Sequence, residues 1–312
     1  MKKRGVFLLI GIGCVLVAIG SYKMAYSINP DYTCALCHEI EKSCTTWRGS
    51  SHADVACIDC HGTALSNGLT GVTGKLNMVY IHFTEKKTNE DVFLTEKQSL
   101  DMAKRCAECH GAEEKAWSSG AHSSTYKDIF MDEAHNQLEK PYSDCLRCHG
   151  MFYDGDINSL MSLEGRDSGK WHIKDADQVD RPTITCLACH QVHASQPRSL
   201  NYKDLNAEEK ANLLKKTSRP GTALYVRAEK RHMPSSNLMQ IKMYRQDTLV
   251  RVSEDPNVKL CMQCHAPNGV HAVGSEDDKT PMGVYEGMSC MECHDPHSNK
   301  VKNEYRNVHL NY

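Results

Sequence analysis

The sequence predicts a mainly α-helical fold with many loops, little or no β-sheet, and an N-terminal transmembrane helix. Three observations predict it. The first is a five-residue pattern, Cys-x-x-Cys-His, that occurs seven times in 312 residues. The second is a shortage of ordinary core builders, with five Phe and three Trp in the whole chain. The third is one uncharged apolar run close to the N-terminus, Gly5 to Gly20.

The transmembrane element comes first along the chain. Lys2, Lys3 and Arg4 precede the sixteen uncharged residues from Gly5 to Gly20. A span takes about 20 residues, and Ser21 to Tyr26 complete it if Lys23 snorkels to the interface. Tyr22 and Tyr26 suit the aromatic belt on the far side, and the three positive charges favour a cytoplasmic N-terminus. The expectation is a single-pass anchor in the cytoplasmic (inner) membrane, with everything after about residue 27 on the periplasmic, extracytoplasmic side. A cleaved signal peptide is the alternative, although no clear small-residue cleavage site follows the run. In the anchor reading Cys14 faces lipid or a partner helix.

The seven patterns are Cys34/Cys37/His38, Cys57/Cys60/His61, Cys106/Cys109/His110, Cys145/Cys148/His149, Cys186/Cys189/His190, Cys261/Cys264/His265 and Cys290/Cys293/His294. Two thiols three positions apart can form thioethers to the two vinyl groups of one haem. The adjacent histidine then falls under the iron as its proximal ligand. That is the attachment pattern of c-type haem. A zinc site gives no reason for a His directly after every Cys pair, and a thioredoxin-like redox motif needs one pair, not seven. The cofactor expectation is therefore seven covalently bound haem c. The two remaining cysteines are Cys14 and Cys44, the latter read as a buried or free thiol.

The fold class follows from spacing. Motif starts are 23, 49, 39, 41, 75 and 29 residues apart, too little chain per haem for separate globin-like pockets. The haems must pack mainly against one another, with short helices and loops as casing. This also answers the thin core, because each haem is a large apolar body tied to the backbone. Helix signals are few: a Thr95–Gln98 capping box that runs into Cys106, and an amphipathic stretch from about Ala207 to Thr217 that stops near Pro220. The expected division is an anchor over 1–26, four motifs over 27–150 and three over 151–312. Turn-rich Tyr153–Asp156 and Gly165–Gly169 mark the junction between the last two.

Charge excludes one class of partner. The formal charge is −2, and fourteen propionates would take it to roughly −16 when all are ionised, some paired with Lys or Arg. There is no basic footprint for nucleic acid. Ten Lys or Arg do lie between Lys210 and Arg251, against Glu229 and Asp247. They read either as partners of haem propionates and solvent or as a docking face for an acidic partner.

Residues 1–150 resemble the NapC/NirT/NrfH family of membrane-anchored tetrahaem quinol dehydrogenases. The resemblance rests on the N-terminal run, Asn29-Pro30 before Cys34, Trp47 and Ser51-His52 before Cys57, Gly74-Lys75, His82, and the third and fourth motifs. It implies that this half takes electrons from membrane quinol at the first haem and passes them outward. Two departures stand out. The family usually has Met two residues after the first motif's His, where this chain has Ile40. It also places an acidic residue about two turns after the Lys, where this chain has His82, with Glu85 just beyond. Lys75 and His82 are thus the candidate quinol-site residues, and His82 is either a proton acceptor or a haem ligand. The second half, with His193 three residues after His190 and His297 three after His294, resembles segments common in larger multihaem cytochromes c.

Ligand arithmetic completes the reading. Of 17 histidines, seven are proximal, and ten remain for the distal faces. Candidate distal ligands are His52, His82, His122, His135, His193, His271 and His297; His172, His232 and His309 complete the set. His193 and His297 sit too close to their own proximal His to reach the other face of the same haem, so they would ligate a neighbour. The functional expectation is a seven-haem, membrane-anchored relay from the quinol pool to a periplasmic reductase or other cytochromes in anaerobic-type respiration, alone or as part of a homo- or hetero-oligomer. The alternatives are a terminal reductase of a small nitrogen or sulfur oxyanion, and a structural subunit of a conducting cytochrome assembly.

Overall fold

The computed structural model describes residues 2–28, 40–62, 80, 83–84, 94–162, 170–193, 287–298, and 221–265 apart from 243, 246, 250 and 254. The expectations for Cys34, Cys37, His38, Lys75, His82, His271 and a helix over 207–217 fall outside them. The chain divides into two compact units, Met1–Val92 with Ser195–Leu205, and Phe93–Ala194 with Asn206–Tyr312.

In the first unit, helices form over Lys2–Ile28 (α1), Glu41–Arg48 (α2) and Cys57–His61 (α3). Helix α2 buries Cys44 and Trp47, three residues apart on one face. At its end the Ser50 hydroxyl donates to the Trp47 carbonyl at 2.8 Å. The expected transmembrane helix is not supported. Although α1 is 27 residues long, no helix among the described residues is long and apolar enough to cross a membrane. The physical reason lies in the sequence of α1. Its continuous apolar stretch runs only from Val6 to Ile19 and contains Gly11 and Gly13, short of the roughly 20 apolar residues a span requires. Lys2, Lys3, Arg4 and Lys23 occupy the remaining turns. Phe7, Ile10, Val15, Leu16 and Val17 are nonetheless exposed.

The second unit is a series of short helices joined by capped turns. Helix α4 (Glu96–Cys109) starts at the expected capping box: Thr95 Oγ1 accepts from the Gln98 amide, and the Gln98 side chain accepts from the Thr95 amide at 2.9 Å. Helix α5 (Gly111–Ser118) follows directly. Helix α6 (Tyr126–Phe130) repeats the device with Thr125 and Asp128, and α7 (Glu133–Leu138) is capped by Asp132. After a 3₁₀ turn over Ser143–Arg147 come α8 (Ile157–Leu160), capped by Asp156, and α9 (Cys186–Cys189). Helices α10 (Pro256–His265) and α11 (Cys290–Cys293) end the described chain. Side-chain caps recur because helices of four to eight residues leave most of their end groups unmet otherwise.

Among the described residues the sheet content is three two-stranded antiparallel ladders: β1 (Met161–Ser162) with β2 (His172–Ile173), β3 (Ala223–Val226) with β4 (Arg231–Pro234), and β5 (Tyr244–Arg245) with β6 (Thr248–Leu249). The β3–β4 ladder pairs Tyr225 with His232, and its loop passes through Lys230 at φ +50°.

Among the described residues the core forms three small clusters, and each includes residues of Cys-x-x-Cys-His motifs or packs against them. One gathers Tyr126, Phe130, Ile157, Leu160, Met161, Trp171 and Ile173 around Leu146, the first spacer residue of the fourth motif. A second packs Met151, Phe152 and Tyr225 against Leu187 and Ala188, both spacers of the fifth motif. The third joins Val258 to Met262, a spacer of the sixth, with Cys290 of the seventh against it. Spacer side chains therefore fix where the turns of the fourth, fifth and sixth motifs sit.

Candidate haem-binding site

In a helical turn, residues three apart are surface neighbours with Cβ atoms about 5–6 Å apart. That is what a Cys-x-x-Cys pair needs to meet one flat group from the same side. The second motif is one such helix, α3, in the first unit. Its expected thioether pair, Cys57 and Cys60, is half-buried, and its histidine, His61, is exposed. The motif at Cys106 ends α4, and the motif at Cys261 ends α10. Those at Cys186 and Cys290 are single turns, α9 and α11. A shared hydrogen bond sets the histidine. Its amide donates to the carbonyl of the first cysteine at 2.8 Å in His110 and His149, 3.0 Å in His190 and 2.9 Å in His294. This i→i−4 bond brings each histidine back above its own first cysteine. At the second motif the histidine is the last residue of α3 itself, and the Gly62 amide closes the helix by donating to the Ile58 carbonyl at 2.7 Å.

The motifs of the second unit meet one another. Cys106 and Cys186, from the third and fifth, are hydrogen-bonded thiols, and the contact holds Cys186 down to about 7. The same two segments are joined by Ser99 and Thr185, whose hydroxyls bond at 2.5 Å, and by Trp117 Nε1, which donates to the Ile184 carbonyl at 3.2 Å. Cys264 of the sixth motif contacts Cys148 of the fourth. Cys261 of the sixth contacts Cys290 of the seventh, and Cys290 is held down to about 7 by that bond. Asp255 links the last pair, capping α10 through the Asn257 amide at 2.9 Å and accepting from Ser289 Oγ at 2.6 Å. Burial pushes Cys189 up to about 11.

Two candidate distal histidines stand opposite motif histidines. The rings of His122 and His265 have centroids 6.0 Å apart, and those of His190 and His297 are 6.2 Å apart. The neighbour of His297 takes part in both pairs' surroundings: the Pro296 carbonyl lies 3.1 Å from His122 Nδ1. Burial, reinforced by His265, lowers the pKa of His122 and so favours its neutral form. His193 is half-buried, as is His52, whose Nδ1 lies 3.4 Å from Ser51 Oγ. His135 is exposed on α7, its Nε2 4.0 Å from Glu139. His232 packs edge-on against Tyr225 and puts its Nε2 2.7 Å from the Leu187 carbonyl, bracing the fifth motif. Cations of the basic segment are engaged by the protein itself: Lys230 with Asp154 at 2.5 Å, Arg231 with Glu229 at 2.6 Å, and Arg227 with the Tyr153 and Gly155 carbonyls.

These residues fit haem. The paired thiols on one helical face and the histidine beside them are its covalent and axial donor set. Among the described residues no three His, Cys, Asp or Glu gather as a cage for a bare metal ion. An iron already held by a porphyrin asks the protein only for its axial ligands. A further observation points the same way: Arg147 Nη2 is buried with no hydrogen-bond partner among the described residues, beside Cys148 and Cys264. A buried guanidinium nitrogen suits a carboxylate, and each haem carries two. Sequence reasoning passed over Arg147 because it occupies a spacer position, where only its neighbours were diagnostic.

Comparison with known proteins agrees on the class. Residues 28–200 match the family model of outer membrane cytochrome MtrC/MtrF-like, domains II/IV, and residues 224–295 match that of cytochrome c554 and c-prime. No curated protein and no solved structure matches the chain. Both matched families are cytochromes, which implies covalently bound haem c and electron transfer. The first match covers most of the stretch that resembles the NapC/NirT/NrfH family, and supports the broader reading, a multihaem cytochrome c, not that family specifically. With more than half of its length matched by one family model, the chain belongs to the MtrC/MtrF-like outer membrane cytochromes, domains II/IV.

Proposed function

We propose that this chain is a seven-haem electron relay working outside the cytoplasm, with a separate redox protein or cytochrome on at least one side of it. The observation that carries the reading is the mutual contact of the five motifs in the second unit, third with fifth, fourth with sixth and sixth with seventh. Attachment points this close require adjacent haems. Haem supplies one-electron ferric/ferrous chemistry; the chain supplies spacing, ligands and a partly dry setting. The extracytoplasmic setting follows from the chemistry of attachment, which takes place outside the cytoplasm, and accords with the name of the matched family.

His122 and His297 serve as distal ligands in this reading, His122 opposite His265 and His297 opposite His190. Metal–imidazole bonds of about 2.0 Å on both faces of one iron put two ring centres roughly 6 Å apart. The observed 6.0 and 6.2 Å support such pairs. His297 would then bind the haem of the fifth motif and not that of its own. His122 with His265, and His297 with His190, would hold an iron on both faces, which favours relay over substrate binding. Quinol as donor, with Lys75 and His82 beside the first haem, rests on the resemblance of residues 1–150 alone, and quinol-dependent haem reduction in membranes tests it.

Mass spectrometry of the mature holoprotein counts the haems, and electron paramagnetic resonance reads their spin states. The expected result is seven haems, with His122→Ala and His297→Ala each converting one low-spin haem to high-spin while the count stays the same. Fewer than seven haems, or unchanged spectra in both variants, overturns the reading.

A further inference from the structure

Arg147 does something that a spacer residue has no need to do. It lies between Leu146, fully buried in the largest core cluster, and Cys148 of the fourth motif. With Leu146 fixed in the core, the next side chain leaves the turn toward the sixth motif. Its Nη1 donates to the carbonyl of Gln263 at 2.6 Å, between Cys261 and Cys264. Its Nε lies 3.4 Å from the Asp144 carboxylate. Its Nη2 is buried and has no hydrogen-bond partner among the described residues.

A guanidinium has five N–H donors in a fixed fork. Here Nη1 and Nε are engaged by the protein, and Nη2 lies buried beside Cys148 and Cys264 with no hydrogen-bond partner among the described residues. A buried charged donor without a partner costs more than a neutral one, so the arrangement makes sense once a carboxylate is present. Asp144 is already engaged through Nε. We propose that Arg147 is the joint between the haems of the fourth and sixth motifs, binding a haem propionate through Nη2 while Nη1 holds the sixth motif's backbone. The proposal rests on the reading that both motifs carry haem. A fixed positive charge there favours the reduced iron of whichever haem it faces, and it keeps the propionate ionised across neutral pH.

The test is potentiometric, on holoprotein whose haems have first been counted. In Arg147→Gln, with the count unchanged, one or two of the haem midpoint potentials move down, and they become pH-dependent between pH 6 and 8 as the released propionate titrates. Arg147→Lys keeps the charge but cannot serve both the carbonyl and the carboxylate, and shifts in the same sense by a smaller amount. It carries the test if the glutamine variant fails to load. Potentials and pH profiles that superimpose on wild type, at equal haem content, overturn the proposal. If the wild-type protein itself lacks haem at the fourth or sixth motif, the functional reading fails first, and the peptide masses around Cys145 and Cys261 tell the two failures apart.

Discussion

Glu96 is the place where removing one side chain should loosen two haem motifs together. It sits in the first turn of α4, where a negative charge is favoured by the helix dipole, and its carboxylate is 12% exposed. It accepts from the Tyr126 hydroxyl at 2.6 Å, from Gln178 Nε2 at 2.8 Å, and from Arg181 Nη1 at 3.1 Å. Helix α4 ends in the third motif, and Gln178 and Arg181 lie just before the fifth, so one carboxylate ties both. Tyr126 is fully buried; Glu96→Ala leaves its hydroxyl with no acceptor and strips a partner from a half-buried arginine. Breaking such a buried, charged set costs about 3–5 kcal/mol. For a unit of this size that corresponds to a fall in melting temperature of roughly 6–20 °C. Calorimetry of haem-loaded wild type, Glu96→Ala, Tyr126→Phe and the double variant measures it, with a coupling of about 0.5–3 kcal/mol expected in the cycle. Asp101→Asn, across a mostly exposed pair with Lys104, is the control and should melt with wild type. If Glu96→Ala melts with it too, or the cycle is additive, the network does not hold the two motifs.

Gly150, directly after His149, has φ +129°, and a Cβ there would lie 2.8 Å from the Tyr126 hydroxyl oxygen. Gly150→Ala should therefore destabilise by about 1–3 kcal/mol through strain and clash, read as a lower urea midpoint at constant slope. Asp128 caps α6, and its hydrogen bonds from the Thr125 amide and hydroxyl hold its carboxyl below the ordinary 3.8. A depressed pKa contributes stability above the unfolded value and loses it as pH falls through the folded one. Asp128→Asn should therefore differ most from wild type above about pH 4 and converge with it in acid, as followed by acid unfolding.

Legibility from sequence depended on how far apart the partners lie. The Thr95–Gln98 box was readable because a cap is a local bargain between residues three apart, and the structure contains it. The Cys-x-x-Cys-His turns were readable for the same reason. The pairs His122–His265 and His190–His297 join residues more than 100 positions apart, and nothing in a single sequence marks which histidine faces which. Arg147 was invisible because its role comes from Gln263, 116 residues away. The β3–β4 ladder was missed because its loop, Arg227–Lys230, carries none of the Gly or Asn that announce a hairpin; Lys230 adopts the positive φ instead. The transmembrane expectation is not supported because α1, although 27 residues long, is apolar without interruption only from Val6 to Ile19.

The thin composition of the chain has a structural counterpart in the way the clusters are built. Leu146, Leu187, Ala188 and Met262 are all spacers within haem motifs, and all are buried. The Cys-x-x-Cys-His turns, the proposed points of haem attachment, are therefore also turns on which the core packs, and neither role can be moved without the other. A spacer that lost its apolar character would displace a pair of thiols and an axial histidine at once. Conversely, haem attached at one turn fixes the side chains around which the next cluster packs. Folding and haem loading should thus be one coupled process in the second unit, with the third-to-fifth contact closed by Glu96 and the fourth-to-sixth contact closed by Arg147. The proposed relay and the stability of the fold then have a common origin in the same few turns.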